Sequence, residues 1–339
     1  MYIEQARGDS RLSRITRAQE KLFLRTATKI LRTSLVVKPA EKFLVITDEE
    51  TYPIGRAFFE AGRRMDAEAC LTLIRERKHH GEEPPIPVAA AWKTCDAYIA
   101  PTKYSLTHTQ ARKAATEAGA RGATMPGIVP SMFGAGAITA DYSTVGRMSE
   151  KMGKAMDKTD EVRITSRAGT DLTFSIKGRV VERDTGLLAK RGDFGNLPAG
   201  EAYVAPLEGT AEGILVIDGS IASVGMIRTQ PARVTIREGF ATKIDGGKEA
   251  KKWDSMLASV KKKEAYNVAE FGVGCNPNAR LIGIILEDEK VYGTIHIALG
   301  DNSTFGGKVE AGIHLDGMIR NPSLYLDGEP AMKNGTWVI

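Results

Sequence analysis

Short apolar runs alternate with helix-spaced runs from about Ala18 to Ser149. "KFLVITDEE" (Lys42 to Glu50) is a buried-strand run ending in acids, and the following "PIGRAFFEAGRRM" places apolar residues at helical spacing. "EACLTLI", "DAYIAP" and "ARGATMP" read as further strands. "THTQARKAATEAGA" reads as a helix, with Thr107 and Gln110 at the spacing of a capping box. Strands alternating with helices predict a parallel sheet with helices on its faces.

From about Asp160 the pattern changes. "EVRITS", "DLTFSIKGRVV", "GILVIDGSIASVG", "ARVTIREGFATKID", "LIGIILEDEKVYGTIHIAL" and "SLYLDGE" are Gly-punctuated, mostly alternating strand runs, with one helix near Lys248 to Lys263. The boundary is placed between Lys154 and Glu161, where a charged helical stretch gives way to strands. The expected architecture is an α/β domain with a parallel sheet over residues 1–157, followed by a β-rich α+β domain over residues 158–339.

Composition narrows the function classes. Of 339 residues, 42% are hydrophobic and 26% charged, as in a globular chain with a sizeable core. The net charge of +5 is spread along the chain, with no basic stripe interleaved with aromatics, so no nucleic-acid partner is expected. "KEAKKWDSMLASVKKK" (Lys248 to Lys263) reads as a solvated helix face. Cys70, Cys95 and Cys275 are odd in number and form no Cys-x-x-Cys, which implies neither a disulfide frame nor a thiolate zinc site. Cys70 and Cys95 fall in apolar strand-like runs and are expected in the core. The charged start "MYIEQARGDSRLSRITR" carries no signal region, and no apolar run approaches the ~18 residues needed to span a bilayer. A cytoplasmic chain is expected.

The candidate chemistry lies near the C-terminus. In a strand, residues two apart face the same side, so His314 and Asp316 of "GIHLDGM" converge, a suitable pair of ligands for a divalent metal. A histidine bonded to a carboxylate in a polar core has the same pattern. His296, in the apolar run "VYGTIHIALG", stands 18 residues earlier, and the Gly-rich "GDNSTFGG" allows the chain to return on a neighbouring strand. Glu201, after "GNLPAG", and Glu270, in "YNVAEFGVGCNP", sit where a carboxylate is costly to bury without a cation, the alternative being exposure at a strand end. Carboxylates and imidazoles without thiolate suit Zn, Mn, Co or Fe(II), and two such ions would clamp a bridging water for hydrolysis. His79 and His80 precede the loop "GEEPP" and read as solvated, Asp171 reads as a turn or cap residue, and Cys275 lies five residues after Glu270.

Several of these runs together, "GTDLTFSIKGR", "GNLPAGEAYVAPLEGTAEGILVIDGSI", "AEFGVGCNPNA", "HIALG" and "IHLDGMI", resemble the aminopeptidase T family of metallopeptidases. So do "LVVKPAEKFLVITDEE", "HGEEPP" and "PTKYSLTHTQARKAATEAGAR" in the N-terminal half. The resemblance implies a cytoplasmic homodimer with an N-terminal α/β domain lining a cleft and a C-terminal β-rich metal-binding domain. Glu201, Glu270, His296, His314 and Asp316 match the family's metal ligands. It also implies a small-molecule or short-peptide substrate and no membrane partner. One departure is that "DNSTFGGKVEAGI", between the last two motifs, is short and lacks the tyrosine carried there by the peptidases. The chain also resembles a second branch, the mononuclear Fe(II) enzyme 2,5-dihydroxypyridine 5,6-dioxygenase. Its C-terminal His-x-Asp matches His314 and Asp316, and the substrate-side histidine of its N-terminal domain matches His108 in "SLTHTQAR". With three carboxylates in the set, the expectation is an aminopeptidase-like metallo-hydrolase of peptide or amide bonds. It would hold two of Zn, Co or Mn, and His108 would carry a proton. The alternatives are a ring-cleaving dioxygenase with one Fe(II), acting on a hydroxylated pyridine-type ring, and a non-catalytic metal-binding protein.

Overall fold

The computed structural model describes residues 15–339; the charged stretch 1–14 lies outside the described residues. The first elements are α1 (Arg17–Thr33), β1 (Lys42–Thr47), α2 (Tyr52–Arg63), β2 (Glu68–Leu73), α3 (Ile86–Thr94), β3 (Ala97–Thr102), α4 (Gln110–Glu117) and β4 (Arg121–Pro126). There follow α5 (Tyr142–Met156), β5 (Glu161–Thr165), β6 (Asp171–Ser175), β7 (Glu182–Asp184), β8 (Phe194–Asn196), β9 (Glu201–Val204), β10 (Glu212–Ile217), β11 (Ser220–Ile221), β12 (Gly225–Met226), β13 (Ala232–Arg237) and β14 (Phe240–Asp245). The last are α6 (Lys248–Ser259), β15 (Val268–Gly274), α7 (Ile285–Asp288), β16 (Ile295–Gly300), β17 (His314–Ile319), β18 (Ser323–Leu326), β19 (Glu329–Lys333) and β20 (Thr336–Trp337).

These elements form two compact units, Met1–Thr139 with Gly186–Pro198, and Ala140–Thr185 with Ala199–Ile339. The expected boundary at 157/158 falls inside the second unit, between α5 and β5. Helix α5 goes with that unit because its apolar face, with Met152 and Met156, packs into the same core as β5 and β6.

Among the described residues the first unit holds one parallel sheet in the order β2-β1-β3-β4-β8. Leu44 and Ile46 of β1 face Val88 and Trp92 of α3 and Ala111 and Ala115 of α4, while Phe43 faces α2 at Gly62. This is the alternation of a strand covered on both sides. The order reverses between β1 and β3, the place where open α/β sheets usually bind ligands. Here the chain's own groups occupy that point: buried Asp48 accepts from the Lys103 amide (2.6 Å), and the Thr51 hydroxyl bonds the Pro101 carbonyl (2.6 Å). Helix α4 starts later than the capping-box reading expects. Thr109 is the N-cap, accepting from the Arg112 amide, and Thr107 instead bonds Thr124 on β4 (2.8 Å).

The second unit holds two antiparallel sheets, ordered β14-β13-β10-β6-β5-β18-β19-β20 and β12-β11-β17-β16-β15-β9-β7 among the described residues. Their facing sides form one core, in which Val162, Ile164, Leu172 and Phe174 meet Phe271, Val273, Ile295, Ile297 and Leu299. The fold class is therefore as expected, an α/β unit with a parallel sheet and a β-rich unit. Within the run read as a strand, "LIGIILEDEKVYGTIHIAL", only the end is one. Residues 281–294 are turns and the single-turn helix α7, whose last residue, Asp288, accepts from the Ile282 and Gly283 amides of the preceding turn. No described helix is long and apolar enough to cross a membrane.

Two thiols depart from the core placement. Cys70 is exposed because β2 is the edge strand and alternates, and Cys95 caps α3 half-buried, its thiol bonded to the Trp92 carbonyl. Burial, with Asp96 beside it, pushes the Cys95 thiol up to about 12, and burial also pushes up Cys275. Only the thiolate reacts with disulfide reagents. At neutral pH a colorimetric thiol assay should therefore count one fast-reacting cysteine in the native chain and three after denaturation; two or three fast thiols in the native chain would contradict this placement.

Candidate metal centre

The site is built on one face of three neighbouring strands. In β15, Phe271 and Val273 point into the core, so Glu270 and Gly272 point away from it. In β16, Ile295, Ile297 and Leu299 point inward and His296 outward; in β17, Leu315 and Ile319 point inward and His314 and Asp316 outward. The register completes the cluster. Gly272 lies across from His296, Glu270 across from Ala298, and Ala298 across from Asp316. Loop 301–313 returns the chain so that His314 pairs with Gly300, and β9 brings Glu201 across from Gly274. Of the glycines here, Gly272 leaves the space that the His296 ring fills, whereas Gly274 and Gly300 let the Val291 and Ile313 carbonyls approach.

All five residues named from the sequence as ligands meet here. His296 Nε2 is 3.1 Å from Glu270 Oε1 and 3.5 Å from Glu201 Oε2. His314 Nε2 is 3.3 Å from Glu270 Oε2 and 3.4 Å from Asp316 Oδ1. Two trios have ligand atoms within 4.8 Å of one another, Glu201–Glu270–His296 and Glu270–His314–Asp316, sharing Glu270. His314 donates from Nδ1 to the Asp301 carbonyl (2.7 Å), which fixes the ring and turns Nε2 toward the cluster. An alanine Cβ at 272 would come within 2.0 Å of His296 Nε2, so this glycine is the cradle of the imidazole.

The electrostatics are those of a site made for a cation. Burial alone would lower His296, but its bond to Glu270 and the nearby carboxylates carry it up to about 9. Burial is likewise overcome at His314, held well above its ordinary range by Asp316 and Glu270. Burial would raise Glu270, yet hydrogen bonds from the two imidazoles hold it well below the usual carboxylate range. Without an ion, protons on the imidazoles supply the positive charge, and a divalent ion binding here displaces them. Glu201 Oε2 and His296 Nδ1 are buried without a hydrogen-bond partner. Anionic oxygens and imidazole nitrogens converging in one buried place fit a divalent metal.

Sequence reasoning missed Lys290, whose side chain is 1% exposed. Its Nζ lies 2.5 Å from Glu201 Oε1, 2.7 Å from Glu289 Oε1 and 3.6 Å from Asp184 Oδ2. Burial opposes its charge, but these carboxylates hold it well above its ordinary range. Glu289 itself is pushed up to about 8 by burial, against the pull of Lys290. In "EDEKVYG" the lysine has the sequence pattern of a surface turn. Also missed are Tyr203, two residues along β9 from Glu201, and Phe305. The Phe305 ring packs edge-on against Tyr203 (5.8 Å) and His314 (5.7 Å).

The three remaining histidines lie in the first unit. His108 is exposed on the turn before α4. His79 bonds the His80 carbonyl, and His80 accepts from the Ser105 amide, so both histidines brace loops. Asp171 pairs with Arg163 on the surface of the second unit.

A family model described as 2,5-dihydroxypyridine 5,6-dioxygenase (NicX) matches residues 23–339. The chain belongs to this dioxygenase family. It is 28% identical over 185 residues to the 2,5-dihydroxypyridine 5,6-dioxygenase of Pseudomonas putida KT2440, a match over 51% of this chain and 53% of that protein. The matched segment thus spans about half the length of the curated relative. The solved structure of 2,5-dihydroxypyridine dioxygenase from Pseudomonas putida KT2440 superposes with a TM-score of 0.80 at 19% identity, covering 96% of this chain and 98% of that one. Wild-type AmpT from Thermus thermophilus superposes with a TM-score of 0.68 at 18% identity, covering 94% and 100%. At these identities both structures establish the fold alone.

Membership in the dioxygenase family overturns the hydrolase, aminopeptidase and metalloprotease reading of the sequence. That reading counted three carboxylates and balanced them with a second metal ion. The structure supplies a balancing charge from the chain itself, the Lys290 ammonium on Glu201.

Proposed function

We propose that this chain is a ring-cleaving dioxygenase acting on a hydroxylated pyridine-type ring, with one Fe(II) held by His314, Asp316 and Glu270 and flanked by His296. The observation that carries the reading is the convergence of these four side chains on one strand face in a chain of the dioxygenase family. When bound, Fe(II) supplies the redox chemistry that dioxygen needs to react with a ring. The chain's own residues do the rest. Glu270 spans the two imidazoles with its two oxygens, and the Asp301 carbonyl keeps His314 Nε2 directed inward. Phe305, edge-on to both Tyr203 and His314, places aromatic surface beside the cluster, which suits an aromatic ring. His108, exposed on the turn before α4, is assigned the proton of the ring hydroxyl. A cytoplasmic location, a homodimer and a small-molecule substrate belong to the same proposal.

The test is oxygen uptake by protein loaded anaerobically with Fe(II), using dihydroxypyridines and catechol-type rings as substrates. Uptake of one O2 per ring opened is expected, and His108→Ala should lower turnover with iron content unchanged. No uptake with any hydroxylated ring by an iron-loaded, folded chain would reject the reading.

A further inference from the structure

We propose that Lys290 is the residue that limits the cluster to a single divalent ion, its ammonium neutralising the Glu201 carboxylate that a second ion would need. The inference rests on reading the cluster as a divalent-metal centre. Donors for two ions are present. Glu201, Glu270 and His296 form one trio, Glu270, His314 and Asp316 the other, and Glu270 offers Oε1 to the first and Oε2 to the second, as a bridging carboxylate does. Donor count alone therefore does not make the site mononuclear.

The two trios differ in what stands behind them. The second is backed by a neutral group, the Asp301 carbonyl that orients His314. The first is backed by a fixed cation. Lys290 Nζ is 2.5 Å from Glu201 Oε1 and 2.7 Å from Glu289 Oε1, in a side chain 1% exposed. A buried ammonium next to carboxylates stays charged and is screened little by salt. Two cations on one carboxylate repel, and Lys290 cannot move away into solvent. An ion on the first trio would have to share Glu201 with this ammonium, whereas an ion on the second trio would not. The lysine's position is also built: it leaves α7 two residues after Asp288, which is held by Ser220 (2.5 Å) and two amides.

The experiment uses full-length protein stripped of metal and titrated with Mn(II), read by equilibrium dialysis and elemental analysis. Wild type should take one equivalent. Lys290→Met should take two, the second with a Kd at least tenfold tighter than any second-site binding in wild type. Lys290→Arg, which keeps the charge, should return to one. Loss of the lysine leaves carboxylates buried without a partner and can prevent folding. Glu201→Gln, made with Lys290 in place, and the double variant Lys290→Met/Glu201→Gln therefore complete the set, and each should bind one equivalent. A folded Lys290→Met that still takes one ion, or a Glu201→Gln that loses the first ion, overturns the role of Lys290. Two ions in wild type overturn it as well while leaving the metal centre standing. No Mn(II) on wild type overturns the metal-centre reading together with it.

Discussion

Asp316→Ala should leave a folded chain that no longer retains its metal. The Asp316 side chain is buried but lies on the cluster face of β17, opposite the core residues Leu315 and Ile319, so its removal opens no hole between the two sheets. What is lost is one anionic donor and the partner of His314 Nε2 at 3.4 Å. Changing a residue that merely orients a metal ligand typically costs 10–100-fold in affinity, so deleting a proposed ligand should cost about 100-fold or more. Ring-opening activity should fall with the metal. A second readout is independent of activity. A ligand that binds only the native state at about 100 times its Kd adds about 2.7 kcal/mol of stability. Wild type should therefore melt several degrees higher with saturating Mn(II) than without it, and Asp316→Ala should show no such rise. An unchanged thermal shift, or near wild-type metal content, would remove Asp316 from the centre.

The His-x-Asp step could be read from the sequence because a strand period of two is local, and β17 is regular across it. The placement of His296 and Glu270 depended on more. "IHIALG" and "VAEFGVG" are buried along their whole length, so their polar residues do not alternate with exposed ones, and their facing had to come from the pairing of β15, β16 and β17. Lys290 was not legible because its meaning lies in Glu201, 89 residues away, and a lysine among acids looks like solvated surface. The same non-locality hid β8, three residues from the middle of the chain that pair in parallel with β4 of the first unit. Helix α7 was hidden for a different reason. Its four residues carry an apolar pair that resembles a strand, and the turn is held by Asp288 accepting from amides within its own loop. The error about chemistry followed from the error about charge, since carboxylates were counted without the cation that balances one of them.

Gly272→Ala should reduce turnover sharply without unfolding the chain. Glycine at 272 is not required by backbone conformation, because its φ lies outside the left-handed region, so the argument is steric. A Cβ there would lie 2.0 Å from His296 Nε2, 2.2 Å from Cε1 and 2.9 Å from Cδ2. His296 is fully buried and cannot swing into solvent, so the imidazole must shift within the cluster and give up its approach to Glu270 Oε1 and Glu201 Oε2. Overpacking of this kind costs about 1–3 kcal/mol, a lowering of Tm by roughly 1–4 °C for a chain of this size. The catalytic effect should be larger, since a misplacement of about 1 Å near reacting groups costs roughly 100-fold. A double-mutant cycle separates this cause from general damage to β15. If the methyl acts only by displacing the imidazole, adding Gly272→Ala to His296→Ala should lower activity no further. Two independent, multiplying losses would show that the glycine serves the strand and not the histidine, and a fully active Gly272→Ala would show that His296 is not held where the structure puts it.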